Sequence, residues 1–316
     1  MHYRKLGKTG LEISSLVFGG NVFGWTVDEK ASHALLDEML PRGLNTIDTA
    51  DVYSAWAPGN RGGESETIIG NWLAQAPGRR EKIVLFTKVG SEIPDRGGGL
   101  SRRWILQAVE DSLRRLRTDY IDLYFTHRPD PKTPYEETLA AFQTLREQGK
   151  IRAVGGSQLD ATQLRDALDV AAAKGLPRYQ VLQPEYNLYD RDKFEGPLQQ
   201  LCVSEGLGVV TYYGLASGFL SGKYRSEADL SQSARGGTVK KYFNPRGWRI
   251  LAALDQVAAR QNTTPATIAL AWLLAQPGVT APIVSATNHA QLTSLLAAAE
   301  INLSPDDLAA LTSAGA

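Results

Sequence analysis

Four residues of unlike chemistry follow three short apolar runs. Asp48 and Tyr53 lie in Ile47-Asp48-Thr49-Ala50-Asp51-Val52-Tyr53, Lys88 ends Phe86-Thr87-Lys88, and His127 lies in Phe125-Thr126-His127-Arg128-Pro129-Asp130. If those runs are neighbouring strands, their ends bring the four side chains to one mouth despite their separation in sequence. Tyrosine is a poor acid at neutral pH, with a reference pKa of ~10. A neighbouring Lys88 ammonium is expected to favour the phenolate and lower that value, while Asp48 keeps the ammonium charged and oriented. Tyr53 could then give a proton to an alkoxide developing from a carbonyl, with His127 donating a second hydrogen bond to the same oxygen. In the reverse direction the phenolate would take the proton of an alcohol. The set suits reversible carbonyl reduction with hydride supplied by a cofactor. Asp48 alone reads equally well as a cap and His127 alone as a satisfied core residue, but the combination with Lys88 and Tyr53 is not something an apolar barrel end needs.

Positioning such a set requires parallel strands. Short runs rich in Val, Ile and Leu recur at Leu16 to Phe18, Leu44 to Asp48, Ile83 to Thr87, Ile121 to Thr126, Ile151 to Gly155, Tyr179 to Gln183, Gly208 to Tyr212 and Ala281 to Val284. Segments of helical character separate them: Asp28 to Leu40, Glu64 to Gln75, Ser101 to Leu116, Pro134 to Gln148, Asp160 to Lys174, Phe194 to Glu205, and Arg249 to Gln261 running into Pro265 to Ala275, with Ala290 to Ala299 last. Crossovers of that length connect parallel strands, and eight of them predict an α/β fold of the (β/α)8 TIM-barrel type over residues 1–316, as a single domain. Tyr3 to Leu6 and Leu11 to Ser14, flanking Gly7-Lys8-Thr9-Gly10, predict a hairpin covering the barrel floor. Gly7-Lys8-Thr9 is not a phosphate loop, because the full motif needs glycine where His2 stands and a strand before it. Long loops at 51–63, 90–100 and 215–247 follow strand ends on the reactive face.

Composition narrows the class further. Of 316 residues 43% are hydrophobic and 22% charged, with 34 basic residues cancelling 34 acidic ones, so no global field invites nucleic acid. No apolar run reaches the ~20 residues of a membrane span, and no signal-peptide pattern opens the chain. A soluble, cytoplasmic protein is expected. Cys202 is the only cysteine, which excludes an internal disulfide and a cysteine-rich zinc cluster; it and Trp72, Trp104 and Trp272 read as packing residues. No metal site is expected.

In order along the chain, Phe18-Gly19-Gly20-Asn21, the Asp48-to-Tyr53 segment, Gly63-Glu64-Ser65-Glu66 with Ile69-Gly70, Phe86-Thr87-Lys88, Thr126-His127-Arg128-Pro129-Asp130, Gly149-Lys150-Ile151-Arg152, Gln183-Pro184-Glu185-Tyr186-Asn187 and Ser217-Gly218-Phe219-Leu220-Ser221-Gly222-Lys223-Tyr224 make the chain resemble the aldo-keto reductases. The pattern is nearest the branch that resembles potassium-channel beta subunits. The resemblance implies a catalytic tetrad at Asp48, Tyr53, Lys88 and His127, with Tyr53 as general acid or base, and an extended NADP(H) across the mouth, NAD(H) being the less expected cofactor. It implies that Gly20, Asn21 and Asp48 border that cofactor, that Ser157 and Gln183 hold the nicotinamide carboxamide with Gln158 beside them, and that Tyr212 stacks on the ring. Leu215, Ser217, Gly218 and Lys223 would run beneath the pyrophosphate. Arg235, or Lys240 in its place, would approach the 2′-phosphate, and Ala286, Thr287, Asn288 and Gln291 would line the adenosine end.

Departures from the family pattern fall around the cofactor: Gly155-Gly156-Ser157-Gln158 for the usual Gly-Val-Ser-Asn, Tyr212-Tyr213-Gly214-Leu215 for Tyr-Ser-Pro-Leu, Ser285 for glycine, and Ser294 and Leu295 for Glu and Asn. Phe23, Trp25, Trp56 and Arg128 stand beside mouth segments as candidate substrate-pocket residues, the aromatics suiting aryl or aliphatic aldehydes and Arg128 an anionic or hydroxylated substrate. Besides reversible reduction of aldehydes or ketones, two readings stay open: a sugar or alcohol dehydrogenase working in the oxidative direction, and a cofactor-bound regulatory or interaction protein with slow turnover. The expected partner is a small carbonyl or alcohol, and no membrane.

Overall fold

The computed structural model describes residues 1–316. An antiparallel hairpin of β1 (Tyr3–Lys5) and β2 (Glu12–Ser14) opens the chain. Eight further strands follow: β3 (Val17–Gly19), β4 (Thr46–Asp48), β5 (Val84–Val89), β6 (Ile121–Thr126), β7 (Ile151–Ser157), β8 (Val181–Gln183), β9 (Gly208–Thr211) and β10 (Ala281–Val284). Each pairs in parallel with the next, and β10 returns to β3 to close the barrel. The expected (β/α)8 TIM barrel with its N-terminal hairpin is therefore the observed architecture.

Helices surround the strands: α1 (Glu29–Met39), α2 (Glu64–Ala74), α3 (Arg102–Leu116), α4 (Tyr135–Glu147), α5 (Ala161–Lys174), α6 (Pro197–Glu205), α7 (Gly236–Val239), α8 (Pro245–Arg260), α9 (Pro265–Leu274), α10 (His289–Ala297) and α11 (Pro305–Ala314). Local chemistry sets their starts. Asp28, Ser101 and Asp160 accept from the backbone N–H three residues on, and Asp160 with Gln163 forms a capping box. The helix expected from Phe194 begins instead at Pro197, since proline fits the first helical position but not the interior, and Gly196 before it has φ +88°. The helix expected from Arg249 begins four residues earlier, where Asn244 caps Pro245.

Two apolar layers hold the barrel. Val17, Phe86, Leu123, Phe125, Ala153, Val181, Val210 and Ala281 fill its interior, joined from below by Leu6 and Ile13 of the hairpin. The second layer lies between strands and helices and includes Trp72 and Trp272, whose indole N–H groups reach Asp37 and Thr312. The hairpin turn presses on the floor so closely that a Cβ on Gly7 (φ +52°) would stand 2.3 Å from the Gly208 nitrogen. Beside it, Asp122 receives Arg80 at 2.7 Å, Arg152 at 2.9 Å and the Leu85 N–H at 3.0 Å, while the two guanidinium groups lie over the Tyr120 ring at 3.8 and 3.9 Å.

At the opposite end, the segment 215–247 is folded. It contains 3₁₀ turns at Ala216–Ser221, Glu227–Gln232 and Lys240–Tyr242 as well as α7. Phe219 stacks on Tyr242 at 5.2 Å, and the Tyr242 hydroxyl donates to Asp190 at 2.7 Å. No helix is long and apolar enough to cross a membrane.

Candidate active site

Register in the barrel decides which side chains converge. Asp48 pairs with Phe86, Lys88 with Phe125, and the His127 N–H donates to the Val89 carbonyl, so the ends of β4, β5 and β6 lie side by side. Tyr53 comes from the turn after β4. Lys88 is 0% and Asp48 1% exposed. The three donors of the Lys88 ammonium go to Asp48 Oδ2 at 2.7 Å, the Thr49 carbonyl at 2.8 Å and Tyr53 Oη at 2.8 Å. Tyr53 in turn donates to Asp48 Oδ2 at 3.3 Å. The His127 ring stands edge-on to Tyr53 with centroids 5.8 Å apart, and its buried Nδ1 has no partner within the protein.

The electrostatics differ from the expectation in one respect. Burial, reinforced by the Asp48 charge, pushes the Tyr53 phenol well above the ordinary tyrosine range. The expected lowering by Lys88 does not prevail over burial and the Asp48 carboxylate. Burial also lowers Lys88, against the opposing pull of Asp48. His127 is held well below the usual histidine value by burial, then by the charges of Lys88 and Arg128, so its imidazole is neutral. The arrangement is a protonated phenol and a neutral imidazole facing one opening, with an ion pair behind.

The expected cofactor residues divide into three groups. Those at strand ends are tied to the tetrad: the Gln183 amide donates to Asp48 Oδ1 at 2.9 Å, Ser157 Oγ donates to the Gln183 carbonyl at 2.9 Å, and the Gln158 amide donates to the His127 carbonyl at 2.9 Å. Tyr212, half-buried after β9, packs against Tyr213. In the second group, Ala216, Ser217 and Gly218 have successive positive φ values of 48°, 58° and 96°, just after Leu215. Within it the Ala216 N–H donates to the Tyr213 carbonyl at 2.7 Å and the Gly218 N–H to the Leu215 carbonyl at 2.8 Å, so the turn is closed on itself and the positive charge offered here is that of Lys223. Lys223 folds back toward it, and a Cβ on Gly218 would meet Lys223 Cε at 3.4 Å. In the third group, the N-terminus of α10 is built by Asn288, which caps Gln291, with Gln291 Oε1 accepting from Thr287 and Ala286 buried behind. Together an amide-bearing rim, a left-handed turn with a lysine, and an exposed helix start fit a dinucleotide phosphate chain.

Arg235 does not join the third group. Its guanidinium lies 5.4 Å from the Trp25 ring centroid, on the side where Trp25 meets Trp56 edge-on at 5.6 Å and Trp56 meets Tyr53 at 6.0 Å. Lys240, the other residue expected near the 2′-phosphate, pairs with Glu227 at 3.3 Å. Phe23 is not a pocket residue either: it is fully buried and stacks on Phe18 at 5.5 Å, because the turn carrying it folds inward over the core. Arg128 is exposed and, like Arg235, has no carboxylate partner.

Two serines escaped the sequence reading. Ser65 donates to the Gly20 carbonyl and contacts Thr49 Oγ1, each at 2.8 Å, fixing the turn that carries Gly20 and Asn21. Ser285 Oγ lies 2.8 Å from the Gly19 carbonyl and 2.7 Å from Asn21 Oδ1. Ser65 stands inside a recognised motif, which was the available signal; for Ser285 the signal was its replacement of glycine.

The sequence model of the Aldo/keto reductase family matches residues 15–316. The chain is 36% identical over 315 residues to a Bacillus subtilis protein described as an uncharacterized oxidoreductase, YrpG, covering 98% of this chain and 94% of that one. It is 34% identical to a probable voltage-gated potassium channel subunit beta of Arabidopsis thaliana, over 95% of this chain and 92% of that one. It is 33% identical to Protein tas of Escherichia coli, over 98% and 96%.

Proposed function

The chain belongs to the aldo/keto reductase family of oxidoreductases, and from that premise we propose that it reduces aldehydes or ketones reversibly to alcohols with NADP(H), residues 1–316 working as one barrel domain. The observation that carries the reading is the contact set Lys88–Tyr53–Asp48, with hydrogen bonds of 2.7 to 3.3 Å and His127 beside it. When bound, the nicotinamide supplies the hydride in reduction and takes it up in oxidation. Ser157 and Gln183 would hold its carboxamide and Tyr212 its ring face, with Lys223 beside the turn at 216–218 and the start of α10 taking the phosphate chain.

The chain's own residues handle the proton. Tyr53 Oη carries it and gives it to the oxygen of the carbonyl as negative charge grows there. Neutral His127 donates a hydrogen bond to the same oxygen, orienting it before reaction and stabilising charge during it. Lys88 then stabilises the phenolate left behind, and Asp48 keeps Lys88 in place and charged.

The test follows NADPH and NADH absorbance across aromatic, aliphatic, dicarbonyl and sugar substrates, with native protein beside Tyr53→Phe, and titrates each cofactor by protein fluorescence. The variant is expected to lose about 100-fold or more in turnover, the contribution of a positioned general acid, and to keep its cofactor affinity. Equal turnover by the two proteins would remove Tyr53 from the mechanism. The Arabidopsis relative's name favours a second reading, a cofactor-bound subunit with slow turnover; tight cofactor binding without Tyr53-dependent turnover across the panel would select it.

A further inference from the structure

We propose that Asp51 is a positioning residue of the proton-transfer step, a buried carboxyl in the wall behind the tetrad that acts on Tyr53 through Lys88 by keeping the ammonium charged. The proposal rests on the reductase reading of the same site. Side chains alternate along a strand, and β5 and β6 divide accordingly. Phe86, Leu123 and Phe125 fill the barrel interior, while Thr87 and Tyr124, which pair in register, face the helix layer. Glu66 of α2 enters that layer, where it accepts from Thr87 Oγ1 at 2.5 Å and from Arg115 Nε of α3 at 2.7 Å. The Asp51 N–H donates to the Lys88 carbonyl at 3.3 Å, so the segment after β4 runs along the end of β5. The Asp51 side chain is buried here with neither carboxyl oxygen hydrogen-bonded, and the Tyr124 hydroxyl is likewise buried without a partner.

Charge balance assigns the proton in this wall. Three buried carboxyl groups, Asp48, Asp51 and Glu66, share two cations, and Lys88 is committed to Asp48 as Arg115 is to Glu66. Asp51 is left as the carboxyl that stays protonated near neutral pH, because a third buried carboxylate without a cation of its own is costly. The charged and titratable groups facing it are Glu66 from α2, Arg115 from α3, Lys88 from β5, Tyr124 from β6 and Arg96 from the 90–100 loop. Burial lowers Lys88, and Asp48, Asp51 and Glu66 oppose it in that order. As pH rises, Asp51 is the first of this group to ionise: losing its proton creates a second ion pair with Lys88, whereas losing the ammonium proton would destroy the pair with Asp48. The new carboxylate then keeps Lys88 charged, and a charged Lys88 is what stabilises the Tyr53 phenolate during reduction. Asparagine at this position matches the protonated acid in shape but supplies no charge at higher pH.

Native protein, Asp51→Asn and Asp51→Glu would be compared through the pH profile of kcat for NADPH-dependent reduction of an aldehyde, from pH 6 into the alkaline range. The expected result is the same plateau near pH 6 in all three, an alkaline limb about one pH unit lower in Asp51→Asn, the effect of removing one close opposite charge, and recovery of the limb in Asp51→Glu. A limb that does not move would overturn the proposal, and a lowered plateau with an unmoved limb would reduce Asp51 to a structural role. A second readout needs no turnover: the Lys88 Cε resonance of protein carrying carbon-13 lysine, assigned with Lys88→Met, followed through the same pH range. Lys88 is expected to titrate about one pH unit lower in Asp51→Asn than in native protein. Should Asp51→Asn fail to fold, Asp51→Ser carries the same comparison. A Lys88 titration that depends on residue 51 in a protein that reduces no aldehyde would support the coupling while the reductase reading fails; one indifferent to residue 51 overturns the proposal whatever the turnover.

Discussion

At Tyr53, burial and the Asp48 carboxylate act in the same direction, so the phenol keeps its proton even with an ammonium 2.8 Å away. The sequence supplied the residues of this cluster but not that balance, because the sign depends on how deeply the phenol is buried and how close Asp48 stands to it. A second buried acid lies behind the cluster. Asp51 is 1% exposed, and neither carboxyl oxygen meets a donor at hydrogen-bond geometry. Burial pushes its pKa well above the ordinary carboxylate range, with the Glu66 charge adding to this and Arg115 opposing it. A raised folded-state pKa means the stability present at low pH is lost as pH rises from the unfolded carboxylate value toward the folded one. Asparagine has no such titration. The melting temperature of Asp51→Asn relative to native protein should therefore rise steadily between pH 4 and pH 8; a difference that stays constant across that range would show that Asp51 does not titrate differently on folding.

At the level of elements, the eight barrel strands were legible because buried parallel strands read as continuous apolar runs, and the tetrad was legible because polar residues end those runs. Helix α11 was missed: Leu308 and Leu311 are its only large apolar residues, though Ser304-Pro305 before two aspartates is a helix start that a search for caps would have found. The 215–247 segment was read as a loop because its turns are short and tertiary packing, such as Phe219 on Tyr242, defines them. The position of the Arg235 guanidinium beside Trp25 was not legible for the same reason, since its side-chain direction is set by that packing and not by spacing. Helix pairing, by contrast, has a local signature. Gly70 of α2 lets the backbone approach α3 so closely that an added Cβ would stand 2.0 Å from the Arg115 carbonyl. Gly70→Ala should cost about 3 kcal/mol, the upper part of the range for overpacking, read by denaturant titration; a cost near zero would mean that the two helices separate without penalty.

Across the whole molecule, the two ends of the barrel are built differently. The mouth carries polar side chains and long folded segments, whereas the floor is stabilised by the hairpin and by Asp122 between Arg80 and Arg152. Asp122 is 3% and Arg80 11% exposed, so removing the acid leaves a largely buried cation without its partner. Asp122→Ala should destabilise the fold by about 3 kcal/mol while leaving the KM of surviving native protein unchanged; equal stability to native would show that water replaces the carboxylate at no cost.

The Gly7 turn, seated 2.3 Å from the Gly208 nitrogen by the measure of an added Cβ, shuts that floor. With side chains filling the interior above it, the barrel keeps a single doorway at its mouth. Whatever reaches Tyr53 must leave by the route it entered, past Trp25, Trp56 and the 215–247 segment.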